Sequence, residues 1–136
     1  MVRVPTVVLD DGETLIDSDA ILDWFDEQSG PDKRLIPEKG EARGNVLQLV
    51  SWATAAGDKT VIAFYERTRR PEEMVYLPSV EGAEGQLLEA FGVLETAALK
   101  SSGWLVGDRI TQADISAIVF LQFSRIVLPH LFGDRA

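Results

Sequence analysis

The sequence predicts a mainly α protein, in which a short β-hairpin and one helix precede an all-helical domain. Period-two apolar patterning is confined to the first residues, and helical periodicity dominates the rest of the chain. The charge also changes along the chain, because residues 1–33 carry −7 of the net charge of −9. We therefore predict a partial α/β unit over residues 1–33, a linker over 34–40 and an all-helical domain over 41–136.

The N-terminal segment is typical of a β-hairpin. Residues 4–9 are rich in β-branched side chains, and Pro5 stands at the strand start, where proline is tolerated. Asp11 and Gly12 form a pair that favours a tight turn, and residues 13–16 return as a second strand. Two strands alone are marginally stable in water, so we expect further sheet from another segment or another chain.

The next apolar residues recur with helical spacing. Ala20, Ile21, Trp24 and Phe25 predict an amphipathic helix from Ser18 to about residue 30. Residues 30–40 contain two prolines and two glycines, which is typical of a linker.

Three more helices are predicted. The first spans residues 41–70. We interpret the arginines near its end as a helix C-terminus and not as a nucleic-acid site, because basic side chains are favourable at a helix C-terminus. The second is marked by apolar residues from 87 to 99 and ends at Gly103. The last, residues 111–127, is apolar around nearly its whole circumference, so we expect it to be buried on all sides.

Composition excludes several functions. The chain has no cysteine, which excludes disulfides, thiolate metal sites and thiol catalysis by its own residues. The negative charge argues against nucleic acid and anionic membranes as partners, since both are polyanions. We find no metal-ligand spacing, no signal peptide and no apolar run long enough to cross a bilayer. A cytoplasmic protein is expected.

A candidate binding motif surrounds the hairpin. An extended backbone at Val4 can pair with a peptide-like ligand, as an added strand does. Ser18 opens a helix, where free N–H groups and a hydroxyl can bind a carboxylate, and Asp17 can pair with an ammonium group. The alternative is purely structural, because Asp and Ser are ordinary helix N-caps and Pro5 can simply open a strand.

This motif resembles the second half of the thioredoxin-like domain of glutathione transferases, with its third and fourth strands and third helix. In that family a Val-Pro pair with a cis proline opens the third strand, and an acid-Ser pair precedes an Ala-Ile helix. The resemblance implies that Val4, Pro5, Asp17 and Ser18 bind glutathione, the last two at its zwitterionic γ-glutamyl end.

A second motif lies at residues 107–115. Thr111 and Asp114 have the spacing of a helix capping box. The motif is similar to the box that begins the central helix of the transferases' helical domain. Its predicted role is structural, so we do not expect Asp114 to act as a general base.

The resemblance implies an enzyme that conjugates the glutathione thiolate to electrophilic small molecules, as in detoxification, with glutathione as co-substrate and no metal. The family's first strand–helix–strand, which carries the catalytic Tyr, Ser or Cys, has no counterpart here, and its last helices also look cut off. We therefore expect no catalytic residue in this chain. We expect the single histidine, His130, to cap a helix and not to take part in catalysis.

The resemblance also implies that three aromatic residues of the long helix form a hydrophobic wall of the substrate site: Trp52, Phe64 and Tyr65. Ordinary core packing is the alternative for each. The resemblance also implies a homodimer. The alternative function is a non-catalytic module of the same fold, used for dimerisation or ligand binding.

Overall fold

A computed structural model describes residues 4–133 of the chain. Its strands are β1 (Thr6–Val8) and β2 (Thr14–Ile16), and its helices are α1 (Ser18–Gln28), α2 (Gly40–Thr68), α3 (Leu77–Lys100) and α4 (Gln112–Val127). Short 3₁₀ turns occupy Glu72–Met74 and Pro129–Leu131. The predicted order of a hairpin, a helix and a helical domain is therefore confirmed.

The hairpin is antiparallel and closes through a tight turn. Thr6 pairs with Ile16, and Val8 pairs with Thr14. Gly12 has a φ of 89°, a backbone conformation that glycine adopts without steric cost, and its N–H donates to the Leu9 carbonyl at 2.9 Å. The predicted Asp-Gly turn is thus present, although each strand has only three residues.

The core of the helical domain is built largely from small side chains. Helix α2 packs against both α3 and α4. Small residues let helix backbones approach closely, and their burial away from water stabilises the packing. The main cluster of buried residues consists of Ala56, Ala63, Val80, Ala83, Leu87, Ala90 and Leu128.

The contact between α2 and α4 depends on one glycine. A Cβ atom added to Gly57 would lie 2.3 Å from the Cδ1 atom of Phe120, so the ring lies directly on the glycine backbone. One turn further along, the buried hydroxyls of Thr60 and Ser124 are 2.6 Å apart. Each hydroxyl also lies within hydrogen-bonding distance of a carbonyl of its own helix, so these buried polar atoms are satisfied.

Helix α3 begins earlier than its apolar pattern indicates. The structure starts it at Leu77, whereas the clear periodicity begins at Leu87. Pro78, Gly82 and Gly85 weaken the local signal, because glycine and proline are poor helix formers. Proline is nevertheless tolerated in a first helical turn, and the burial of Val80 stabilises this segment through tertiary packing.

The prediction that the last helix is buried on all sides is wrong. Helix α4 buries Gln112, Ala113, Ser116 and Ser124. Its opposite side exposes Ile118 (56%), Val119 (54%) and Ile126 (76%). The apolar residues around α4 therefore form two apolar faces. One face packs against the rest of the described chain, and the other is exposed.

The start of α4 is fixed by Asp114. Its Oδ2 atom accepts hydrogen bonds from the Thr111 N–H at 2.8 Å and from the Thr111 hydroxyl at 2.9 Å. Its Oδ1 atom accepts from the Leu105 N–H at 2.8 Å, which also ties down the loop before the helix. This carboxylate accepts three structural hydrogen bonds, one of which, from the Thr111 N–H, is part of a capping box.

The segment between α1 and α2 is held by hydrogen bonds from two sides, one from α1 and one from the start of α4. The Asp26 carboxylate of α1 accepts from the backbone N–H groups of Leu35 and Ile36. On the other side, the Gln112 N–H at the start of α4 donates to the Leu35 carbonyl at 3.0 Å. The Arg109 guanidinium adds hydrogen bonds to the carbonyls of Asp32 and Arg34. Ile36 is buried beside Val46 and Ala113, so this segment forms part of the core.

Candidate functional site

The residues of the predicted binding motif flank the same end of the hairpin. Thr6 pairs with Ile16 in an antiparallel register, so the residues before Thr6 and those after Ile16 leave the hairpin at the same end. The chain therefore carries Val4 and Pro5 toward Asp17 and Ser18. The Val4–Pro5 peptide bond is cis, and Val4 is 92% exposed.

Asp17 adopts an unusual backbone conformation at this end. Its φ is 80° and its ψ is 132°, and it is the one non-glycine residue of the described chain with positive φ. Its Oδ1 atom accepts a hydrogen bond from the Asp19 N–H at 3.1 Å, so Asp17 is the N-cap of α1 and Ser18 is its first residue. Non-glycine residues in such regions of φ and ψ are often held there for function.

The start of α1 is strongly acidic. The pKa of Asp19 is raised, first by its partial burial and then by the negative charges of Asp17 and Asp58. Asp58 belongs to the middle of α2, so the two parts of the chain approach each other here. Sequence reasoning did not single out Asp58, and its only local signal is a lone acid after the small residues Ala55, Ala56 and Gly57. This negative potential favours an ammonium group.

Asp19→Asn will raise the stability of the protein at pH 7. Because folding raises the pKa of this carboxyl group, its protonated form favours the folded state. The stabilisation is complete below the pKa of the group in the unfolded chain, and it is lost as the pH rises through its pKa in the folded state. Ionised Asp19 is therefore unfavourable at neutral pH. The gain should be below roughly 0.5 kcal/mol, because the group is largely solvated. Urea unfolding at pH 7 and pH 3 measures it, and an equal gain at pH 3 would contradict this origin.

The aromatic residues implied as a substrate wall have different surroundings. Trp52 and Phe64 pack against the main buried cluster, which agrees with the alternative prediction that they are ordinary core residues. Tyr65 is 44% exposed, and the Arg69 guanidinium carbon lies 4.2 Å from its ring centroid. Of the three, Tyr65 offers the most accessible ring to a ligand.

The only histidine belongs to an ion-pair cluster. His130 Nε2 lies 3.0 Å from Glu84 Oε1, and the Arg67 guanidinium donates two hydrogen bonds to the same oxygen. The cluster joins α2, α3 and the turn after α4. Among residues 4–133, no group of three or more His, Cys, Asp or Glu side chains is arranged to hold a metal ion.

Two cavities lie on the helical domain, away from the hairpin. The larger, about 990 Å³, is a mainly apolar groove between α3 and α4 that includes Leu88, Phe91, Ile118 and Phe132. The smaller, about 420 Å³, lies between α2 and the C-terminal end of α3. Neither is lined by the four residues of the predicted binding motif. Within the described part of the chain, no helix is long and apolar enough to cross a membrane.

The order of hairpin, helix and helical bundle is that of solved glutathione transferases. The chain aligns with a glutathione transferase family member from Pseudomonas fluorescens Pf-5, solved with bound glutathione, at 30% identity and a TM-score of 0.84. The match covers 95% of this chain and 60% of that one. A glutathione S-transferase from Methylobacillus flagellatus KT, also solved with glutathione, gives 27% identity and a TM-score of 0.87, covering 94% and 62%.

Sequence comparison agrees with this fold. Residues 77–136 match the family described as the C-terminal domain of glutathione S-transferase. The chain is also 28% identical over 132 residues to the glutathione S-transferase GstA of Escherichia coli O157:H7. That alignment covers 96% of this chain and spans 62% of GstA. The chain is thus similar in sequence and fold to glutathione S-transferases, and it spans about 60% of the length of these relatives.

Proposed function

We propose that Val4, Pro5, Asp17 and Ser18 bind glutathione, and that the whole protein conjugates its thiolate to electrophilic small molecules in the cytoplasm. The observation that carries this proposal is the antiparallel register, which places exposed Val4 at the same end of the hairpin as the start of α1. The solved relatives from P. fluorescens and M. flagellatus bind glutathione, which supports the same ligand here.

Each group at this end of the hairpin suits one part of the ligand. The backbone groups of Val4, just before β1, can pair with the peptide portion of glutathione. The free N–H groups at the start of α1 and the Ser18 hydroxyl can bind the γ-glutamyl carboxylate. The acidic charge of Asp17, with Asp58 close by, can hold the γ-glutamyl ammonium group.

Titration calorimetry with S-methylglutathione tests this assignment, since that ligand has no free thiol to oxidise. We expect Ser18→Ala to weaken binding by about threefold to tenfold, the effect of one lost hydrogen bond. Asp17→Asn should weaken it at least as much. Asparagine caps helices as well as aspartate does, so this variant removes the charge and keeps the cap.

Asp10→Asn is the matched control, because it removes the same charge from an exposed position of the hairpin turn. It should leave the affinity unchanged. Absence of binding to the unmodified chain would contradict the proposed site. Equal losses in Asp10→Asn and Asp17→Asn would show that only the overall charge matters.

The alternative is a non-catalytic module of this fold. Its support is that the chain contains no cysteine and that its one histidine is paired with Glu84. Lowering a thiol's pKa needs a nearby donor or positive charge, and the start of α1 is acidic instead. Conjugation of glutathione to 1-chloro-2,4-dinitrobenzene separates the two functions. Robust turnover by the 136-residue chain would exclude the non-catalytic module.

We also propose that the protein is a homodimer. Ile118, Val119 and Ile126 form an exposed apolar face on α4, and exposed apolar patches of this kind are typical of protein interfaces. We expect sedimentation velocity to show a dimer at micromolar concentration, with Ile118→Asp shifting it toward monomer. A well-folded monomer at all concentrations would contradict this.

A further inference from the structure

The hairpin turn holds the one Asp-Gly pair of the sequence, at Asp11 and Gly12. The Leu9 N–H donates to the Glu13 carbonyl at 2.8 Å, and this bond closes a loop of three residues. Hairpin loops of this length favour positive φ at their last residue, which explains the glycine at position 12 and its φ of 89°. The fold therefore requires glycine directly after Asp11.

This glycine leaves the main-chain nitrogen beside Asp11 unshielded. Asp11 and Gly12 are both exposed, and a Cβ atom added to Gly12 would meet nothing within 4 Å. The Asp11 Oδ1 atom accepts from the Glu13 N–H at 2.9 Å, which turns the carboxyl group back over its own main chain. In such a turn, the carboxyl carbon and the Gly12 nitrogen belong to the same hydrogen-bonded ring.

One hydrogen bond opposes a reaction between these two groups. The Gly12 N–H donates to the Leu9 carbonyl at 2.9 Å, and this bond must break before the nitrogen can attack Asp11. The strands of this hairpin have three residues each, and two short strands are marginally stable in water. Local openings of such elements occur far more often than global unfolding. The nitrogen is therefore released repeatedly while the rest of the protein stays folded.

We propose that Asp11 is a site of spontaneous isoaspartate formation, controlled by opening of the hairpin turn. The Gly12 nitrogen bonds to the carboxyl carbon of protonated Asp11, and the amide proton and the carboxyl hydroxyl leave as water. A second water molecule then adds to the main-chain carbonyl of the resulting succinimide and breaks its bond to the Gly12 nitrogen. The product joins the two residues through the former side-chain carboxyl group and frees the former main-chain one.

The product adds one carbon atom to the main chain at the turn. The loop then loses the geometry that pairs Leu9 with Glu13, and the register of β1 and β2 loses its support. The freed carboxylate is the class of group that isoaspartyl methyltransferases methylate with S-adenosylmethionine. We also expect the modified chain to bind S-methylglutathione more weakly, a consequence that rests on the proposed function.

Incubation of the full chain at neutral pH and physiological temperature tests the proposal. Enzymatic methylation counts the isoaspartate, and electron-transfer fragmentation locates it. We expect it to accumulate at Asp11 ahead of every other aspartate. The rate should be about threefold to tenfold lower in the folded chain than in urea, the effect of one hydrogen bond that must break first.

Two variants with unchanged charge make the assignment specific. Asp11→Glu should abolish the product at this turn, because glutamate cannot close the five-membered ring. Asp10→Glu is the matched control at the preceding exposed position, and it should leave the rate unchanged.

Three results would overturn the proposal. One is the absence of isoaspartate at Asp11 in the folded chain after the chain in urea has formed it. Another is an equal rate in both states, which would show that the Gly12 hydrogen bond exerts no control. The third is accumulation at Asp17 alone, whose Oδ1 atom also accepts from the N–H two residues on but which precedes a serine. These readouts count isoaspartate directly, so they do not depend on whether the chain binds glutathione.

Discussion

Gly57→Ala will destabilise the protein by about 1–3 kcal/mol, the usual cost of overpacking a well-packed contact. The added Cβ would lie 2.3 Å from Phe120 Cδ1 and 2.4 Å from its Cε1, far inside van der Waals contact. Either the ring must rotate or α2 and α4 must separate, and the second would disturb the buried Thr60–Ser124 hydroxyl pair. Urea unfolding followed by circular dichroism measures the loss.

Gly44→Ala is a matched control in the same helix. A Cβ at Gly44 would meet nothing within 4 Å, so this substitution should stabilise the protein by about 0.5–1 kcal/mol through helix propensity. The same chemical change thus has opposite signs at two positions of α2. Adding Phe120→Leu to Gly57→Ala should recover part of the loss, because it removes the atoms that clash. A neutral effect of Gly57→Ala would refute the proposed contact.

Asp114→Ala will cost about 2–3 kcal/mol of stability. It removes the acceptor for the N–H groups of Leu105 and Thr111 and for the Thr111 hydroxyl. Loss of a helix cap typically costs about 1 kcal/mol, and leaving a partly buried N–H unpaired adds a comparable amount. Thermal unfolding should show a clearly lower Tm.

Asp108→Ala provides the comparison, since Asp108 is an exposed acid of the same loop. Its effect should remain within about 0.5 kcal/mol, as for most surface substitutions. Asp114→Asn should fall between wild type and Asp114→Ala, because the amide keeps one acceptor oxygen. If Asp114→Ala proved as mild as Asp108→Ala, the carboxylate would not be what holds the start of α4.

The features that could be predicted from sequence are those with a local cause. The Asp11-Gly12 pair specifies its turn through the backbone freedom of glycine, and Thr111 and Asp114 specify a helix start through a three-residue spacing. The register of the hairpin is also nearly local, since a short hairpin leaves few alternatives.

The features that sequence did not predict depend on distant partners. The first turns of α3 are stabilised by burial of Val80, not by propensity, and Asp58 joins the acidic end of α1 only because the chain folds back on itself. The exposed side of α4 has the same origin, because an apolar residue in the sequence does not show what covers it. Periodicity reveals which faces are apolar, and only packing reveals which are buried.

The hydrogen bonds around residues 32–36 have a consequence for how the molecule opens. Asp26 holds this stretch from the side of α1, while Arg109 and the Gln112 N–H hold it from the side of α4. Releasing either helix would strip main-chain groups of their partners next to the buried Ile36. We therefore expect the hairpin unit and the helical bundle to unfold together at this point, in one cooperative transition.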